Sequence, residues 1–131
     1  MRITADTNTF LAVAFGEQEK EPIIKATAKA KLISPEILPY EIGNAISKMV
    51  RRDLISATNA LKSFSITQQI PVELNSINIE NALNISSKFK IYSYDAYFLQ
   101  CAIENNTPIL SLDRQLIRIA NSLNIKVIQL S

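Results

Sequence analysis

A chain of 131 residues, 47% of them apolar and with a net charge of +2, is long enough to fold as one domain around a single core. The absence of histidine excludes histidine acid–base chemistry and the usual Cys/His zinc sites; with only Gly16 and Gly43 present, a glycine-rich phosphate loop is excluded too. The chemistry left to the chain is that of carboxylates, hydroxyls, amides and basic side chains, an inventory suited to a hard cation such as Mg²⁺ or Mn²⁺.

Residues 2–6 read as a strand and residues 8–15 as a helix start, with Ala5-Asp6-Thr7-Asn8 at the junction. Asp6 also interrupts any apolar core of a signal peptide. No stretch approaches the roughly eighteen apolar residues of a membrane span, so a cytoplasmic location and no membrane partner are expected. Residues 19–30 read as a helix, with Pro22 tolerable in its first turn. Leu32-Ile33-Ser34 is a short strand, and a longer helix runs from about Pro35 to Arg51. In that helix Ile42, Ala45, Ile46 and Met49 fall on one face.

Ser56 is an N-cap for a helix over 57–68. Residues 72–74 read as a strand, residues 78–89 as a helix, and Ser93 as the cap of a helix over 94–105. Its apolar stripe is Ala96, Leu99, Ala102 and Ile103, and Cys101, the one cysteine, reads as a small core residue beside it. Residues 108–112 form the strongest strand. Asp113 caps a last helix with Leu116, Ile119, Ala120 and Leu123 at helical spacing, and Val127-Ile128 reads as an edge strand.

Strands separated by helices predict an α/β fold: a three-layer α/β/α sandwich with a central, mainly parallel sheet. Such sheets bind ligands beyond the carboxyl ends of their strands. Asp6 and Asp113 each follow a strand, so both fall at that edge. Glu41 and Asp95 are set in otherwise apolar helical segments, where an acid is costly without a partner. Four carboxylates gathered in one crevice repel one another, and a divalent cation relieves that repulsion. Each acid also has an ordinary explanation. Asp6, Asp95 and Asp113 suit helix N-termini, and Glu41, one residue off the buried stripe, suits a solvated face.

The motifs resemble those of the PIN-domain ribonucleases, in particular the VapC-type toxins of toxin–antitoxin pairs. Asp6-Thr7-Asn8 is similar to the opening block of that family, and Glu41-Ile42-Gly43-Asn44 to its second, an acid followed three residues on by Asn. Tyr94-Asp95-Ala96 and Leu112-Asp113-Arg114 resemble its third and fourth. Four blocks in order, across essentially the whole chain, make the resemblance specific. It implies that Asp6, Glu41, Asp95 and Asp113 form a catalytic set holding Mg²⁺ or Mn²⁺, with Asn8 and Ser111 as polar helpers around the metal's water shell. It also implies an RNA substrate, a small cognate antitoxin and a homodimer. Apolar residues such as Ile23, Ile24 and Phe64 suit either protein contact or the core.

Without histidine, the nucleophile expected for phosphodiester hydrolysis is a metal-polarised water. Asp6 and Asp95 are the expected closest ligands, Asp113 a ligand through water, and Glu41 the group that orients the attacking water or holds a second ion. The net charge neither demands nor forbids nucleic acid. Arg114, sharing a helix face with Arg118, is a candidate phosphate contact. Lys48, Arg51 and Arg52 are better explained by the dipole of a helix C-terminus. Tyr94 and Tyr97 suit base stacking or, for Tyr97 above all, a half-buried core role. Rival functions are a haloacid-dehalogenase-like phosphatase, whose second motif acid is replaced here by Asn8, and a phosphoacceptor receiver domain, whose adjacent acids and late lysine are missing. The third rival is a non-catalytic nucleic-acid or protein-binding module that keeps its acids as caps.

Overall fold

The computed structural model describes residues 1–131. Its elements are β1 (Arg2–Ala5), α1 (Thr7–Ala14), α2 (Lys20–Thr27), β2 (Lys31–Pro35), α3 (Leu38–Arg51), α4 (Ala57–Gln69), β3 (Glu73–Asn75), α5 (Ile79–Phe89), α6 (Ser93–Asn105), β4 (Ile109–Leu110) and α7 (Arg114–Ser122). The four strands are parallel, in the order β3-β2-β1-β4. The chain builds outward from β1 to β2 and β3. It then crosses back through α5 and α6 to place β4 on the other side of β1.

A strand covered on both faces has no polar side, and β1 obeys that rule: Ile3, Thr4 and Ala5 are all fully buried. Ile3 and Leu110 pack with Ala12 of α1 and Ile23 of α2 in one small cluster. Ile109, on the opposite pleat, joins the larger core with Leu99 and Ala102 of α6 and Ile119 of α7. Helices therefore cover both faces, as the alternation of elements predicted. The buried threonine of β1 is satisfied locally, Thr4 Oγ1 lying 2.7 Å from Thr107 Oγ1.

Several boundaries differ from those expected, each for a physical reason. Pro35 ends β2 in register with Asn75 rather than opening α3. The C-terminal edge strand shrinks to a single parallel bridge between Ile109 and Val127. With β4 only two residues long, there is little ladder for it to extend. Tyr92, not Ser93, occupies the N-cap of α6, and no side chain caps it. Ile103, expected on the apolar stripe of α6, is 43% exposed, while Phe98, Gln100 and Cys101 are buried instead. This helix is packed on several sides, against β1, β2, α5 and α7, so a one-face pattern describes it poorly. Ser56 caps α4 as expected, accepting from the N–H of Asn59 at 3.1 Å. No helix is long and apolar enough to cross a membrane.

Candidate active site

The order β3-β2-β1-β4 makes β1 and β4 neighbours although the chain passes through two other strands between them. Crevices form where strand order reverses in this way. Asp6 directly follows β1 and its N–H donates to Leu110 O, at the end of β4, at 3.3 Å. Ser111 and Asp113 directly follow β4. From the helices above come Glu41, in the first turn of α3, and Asp95, in the first turn of α6. The four acids line one cleft of about 200 Å³, together with Thr7, Asn8, Asn44 and Lys48.

Asp6 and Asp113 are both helix N-caps and both line the cleft. Asp6 is the N-cap of α1: its Oδ1 accepts from the N–H of Thr9 at 3.2 Å and from Thr9 Oγ1 at 2.8 Å. Its other oxygen, Oδ2, accepts from Ser111 Oγ. Asp113 is the N-cap of α7, with Oδ1 accepting from Gln115 N at 2.8 Å and Leu116 N at 3.2 Å. Capping orients both carboxylates at the mouths of their helices and leaves them facing the cleft.

Electrostatics tie the four acids into one group. Burial raises the Asp6 carboxyl above the ordinary carboxylate range, and the charge of Asp113 raises it further; the hydrogen bonds from Ser111 and Thr9 pull the other way. Burial likewise raises Asp95, helped by Asp113, and Glu41, helped by Asp95. Asp6 is only 6% exposed and has no basic partner. The one salt bridge of the molecule joins Arg2 to Glu73, elsewhere on the sheet.

These residues fit a hydrated divalent cation better than a tightly chelated one. No three acidic side chains stand together so as to hold an ion directly, and both oxygens of Asp6 already accept hydrogen bonds. The cleft nevertheless has room for several waters, and Mg²⁺ keeps several of its waters when bound. Thr7 Oγ1 is buried without a hydrogen-bond partner on a residue that lines this cleft, as a group awaiting a water or ion shell would be.

Of the other expected site residues, Asn8 is exposed on the cleft rim and Ser111 is 4% exposed, behind Asp6. Arg114 is exposed at the first position of α7, outside the cleft lining. Lys48, assigned from the sequence to the helix dipole, does stand in the last turn of α3 but also lines the cleft. Glu41, Asn44 and Lys48 are spaced i, i+3 and i+7, one face of a helix. That polar face, opposite the apolar one, was the signal for Lys48.

The family model described as PIN domain matches residues 3–122. The chain is 26% identical to Ribonuclease VapC3 of Pyrobaculum aerophilum over 121 residues, 88% of this chain and 92% of that protein. Its fold is similar to the crystal structure of PAE2754 from the same organism, with a TM-score of 0.70 at 20% identity over 91% of this chain and 87% of that one. It is also similar to VapBC2 from Rickettsia felis, solved with a DNA fragment from their promoter (TM-score 0.69, 13% identity, 100% of both chains). A third likeness is to VapC20 of Mycobacterium tuberculosis, a Sarcin-Ricin loop cleaving toxin (TM-score 0.62, 12% identity, 88% of this chain and 93% of that one).

Proposed function

Because the chain belongs to the PIN-domain family, we propose that it is a metal-dependent endoribonuclease and the toxin of a toxin–antitoxin pair. The observation that carries this reading is the convergence of Asp6, Glu41, Asp95 and Asp113 on one cleft without a counter-ion among the acids' own contacts. A Mg²⁺ or Mn²⁺ ion bound there would supply a polarised water and neutralise charge on the phosphate.

In this reading Asp6 and Asp95 would hold the ion, with Asp113 a ligand through water. Glu41, its carboxyl raised by burial and by Asp95, would orient the attacking water or hold a second ion. Ser111 and Thr9 fix the orientation of Asp6. Asn8, at the rim, would bond the ion's water shell. Lys48 neutralises the substrate phosphate inside the cleft, and Arg114 a neighbouring phosphate outside it. The small cognate antitoxin and a homodimer follow from the same family reading.

Asp6→Asn is the direct test. Asparagine keeps the cap to Thr9 and the size of the side chain but removes the charge. Incubated with RNA and Mn²⁺, the variant is expected to cleave at least about 100-fold more slowly than the parent, the scale of losing a preorganised electrostatic contact. EDTA should silence the parent in the same assay. A folded Asp6→Asn protein that cuts at the parent rate overturns the reading. Growth arrest on expression, relieved by the product of a small adjacent reading frame, tests the toxin assignment separately.

A further inference from the structure

Next to the acidic cleft lies a second, larger cavity of about 520 Å³. Its floor is the carboxyl ends of β2 and β3, where Pro35 and Asn75 are in register and Glu36 N–H donates to Asn75 O at 3.0 Å. Its walls carry Tyr40 of α3 and Tyr94 and Tyr97 of α6. Three of the chain's four tyrosines thus line one cavity, in a protein with no tryptophan. Tyr40 is 75% exposed and Tyr94 45%, far more than packing requires of an aromatic ring. Tyr94 and Tyr97 are set edge to face, with centroids 5.8 Å apart.

The cavity and the cleft share two walls. Tyr40 precedes Glu41 on α3, and Tyr94 and Tyr97 bracket Asp95 on α6. Adjacent helical residues differ by about 100° of rotation and about 1.5 Å of rise, so each helix turns its acid to the cleft and its tyrosine to the cavity. The two spaces differ in composition: four acidic side chains line one, while Glu36 is the only acidic or basic side chain lining the other.

We propose that this cavity is the base-binding subsite for a single-stranded RNA whose scissile phosphate lies in the adjacent cleft, a proposal that rests on the nuclease reading above. The physical argument is a division of the nucleotide. Its phosphate is drawn to the cleft when a cation is bound there, and is disfavoured beside Glu36. Its base is neutral, flat and aromatic, and stacks on exposed tyrosine faces with little regard to sequence. Asn75 and Ser76 line the same cavity and give the base edge polar partners. Asn75 Nδ2 already donates to Glu73 Oε2 at 3.1 Å, which leaves its side-chain carbonyl to accept. Stacking needs an unpaired base, so the substrate class is single-stranded RNA or a loop.

The test is fluorescence anisotropy of two 5′-labelled decamers in CaCl₂, with a gel to verify that they stay intact. One is single-stranded RNA and the other carries the same sugar–phosphate chain without bases. The full-length protein is compared with Tyr40→Ala/Tyr94→Ala and Tyr40→Phe/Tyr94→Phe, both at exposed positions, with melting temperatures as the folding control. The alanine pair should raise the RNA Kd at least about 5-fold, the scale of one lost stacked base. The phenylalanine pair should stay within about two-fold of the parent, because stacking needs the ring and not the hydroxyl. The abasic chain should bind all three proteins equally. An unchanged RNA Kd in the alanine pair overturns the subsite and leaves the cleft reading intact. Parent protein that binds RNA but not the abasic chain supports the subsite and counts against phosphate binding in the cleft.

Discussion

Ser111 and Asp6, 105 positions apart in the chain, are joined by a hydrogen bond from Ser111 Oγ to Asp6 Oδ2. The same hydroxyl oxygen accepts from the N–H of Asp113 at 3.0 Å. One serine therefore links the ends of β1 and β4 and sets the spacing of two acids. It touches the cleft only through them, which makes it a positioning residue.

Ser111→Ala removes a donor from a buried carboxylate and leaves the Asp113 N–H without its partner. We expect a loss of about 1–3 kcal/mol in folding stability, measured by denaturant unfolding. Mn²⁺ affinity or cleavage should fall about 10–100-fold, as when an outer-shell partner of a metal ligand is lost. Unchanged Mn²⁺ titration in a folded variant would remove Ser111 from the site.

Stability should depend on pH in an unusual direction when no metal is present. Asp6, Asp95 and Glu41 all have raised carboxyl pKa values, chiefly through burial. The folded state then holds protons that the unfolded state has released, between about pH 4 and the raised values. Stability falls as pH rises through that window. In EDTA the melting temperature should therefore increase on acidification from neutral pH into the window. Glu73 works the other way, held low by hydrogen bonds from Asn75 and Arg2. Its contribution is lost only below the window, as pH falls through its lowered pKa. Saturating Mn²⁺ should raise the melting temperature more at neutral pH than on acidification, because metal and protons compete for the same carboxylates. A melting temperature in EDTA that drops steadily from pH 7 to pH 5 contradicts this electrostatic description.

The features of the fold that proved legible were those repeated along a helix or enforced at a junction. Asp6 and Asp113 followed strands, and cap chemistry predicted their position without knowledge of the sheet. The 3.6-residue period of α3 and α7 predicted that Ile42, Ile46, Leu116 and Ile119 would be buried. What was not legible depended on partners distant in sequence. The C-terminal edge strand failed because β4 is too short to template it, and Ile103 points outward because α6 has several packing neighbours. That Lys48 lines the cleft as well was not legible, because a basic residue near a helix end already has a sufficient local explanation. Only the tertiary approach of α3 to α1 turns its polar face into a cleft wall.

Lys48 yields the next prediction. It is the only basic residue lining the acidic cleft and forms no salt bridge with the acids, so its charge is available to a phosphate. Lys48→Ala should raise the KM for RNA with a smaller change in kcat. It should also flatten the salt dependence of binding by about 0.7 in the log–log slope, the contribution of one contact to a single strand. Lys48→Arg should restore the slope. A slope unaffected by the alanine substitution would return Lys48 to a helix-dipole role.

Cys101 offers a probe of whether the cleft and the core open together. It is fully buried in α6, and burial pushes its thiol up to about 11. Thiolate is the reactive form, so native protein at pH 8 should resist a thiol reagent, and labelling should proceed through openings that detach α6. The same helix carries Asp95 into the cleft. Such an opening dismantles the proposed metal site, so Mn²⁺ should slow labelling by the factor 1 + [Mn²⁺]/Kd when the metal binds only the closed form. Kd from this kinetic series should then agree with that from direct titration. Labelling that is fast, or indifferent to Mn²⁺ at concentrations that saturate the titration, would mean that Cys101 is reached by a local fluctuation leaving Asp95 in place.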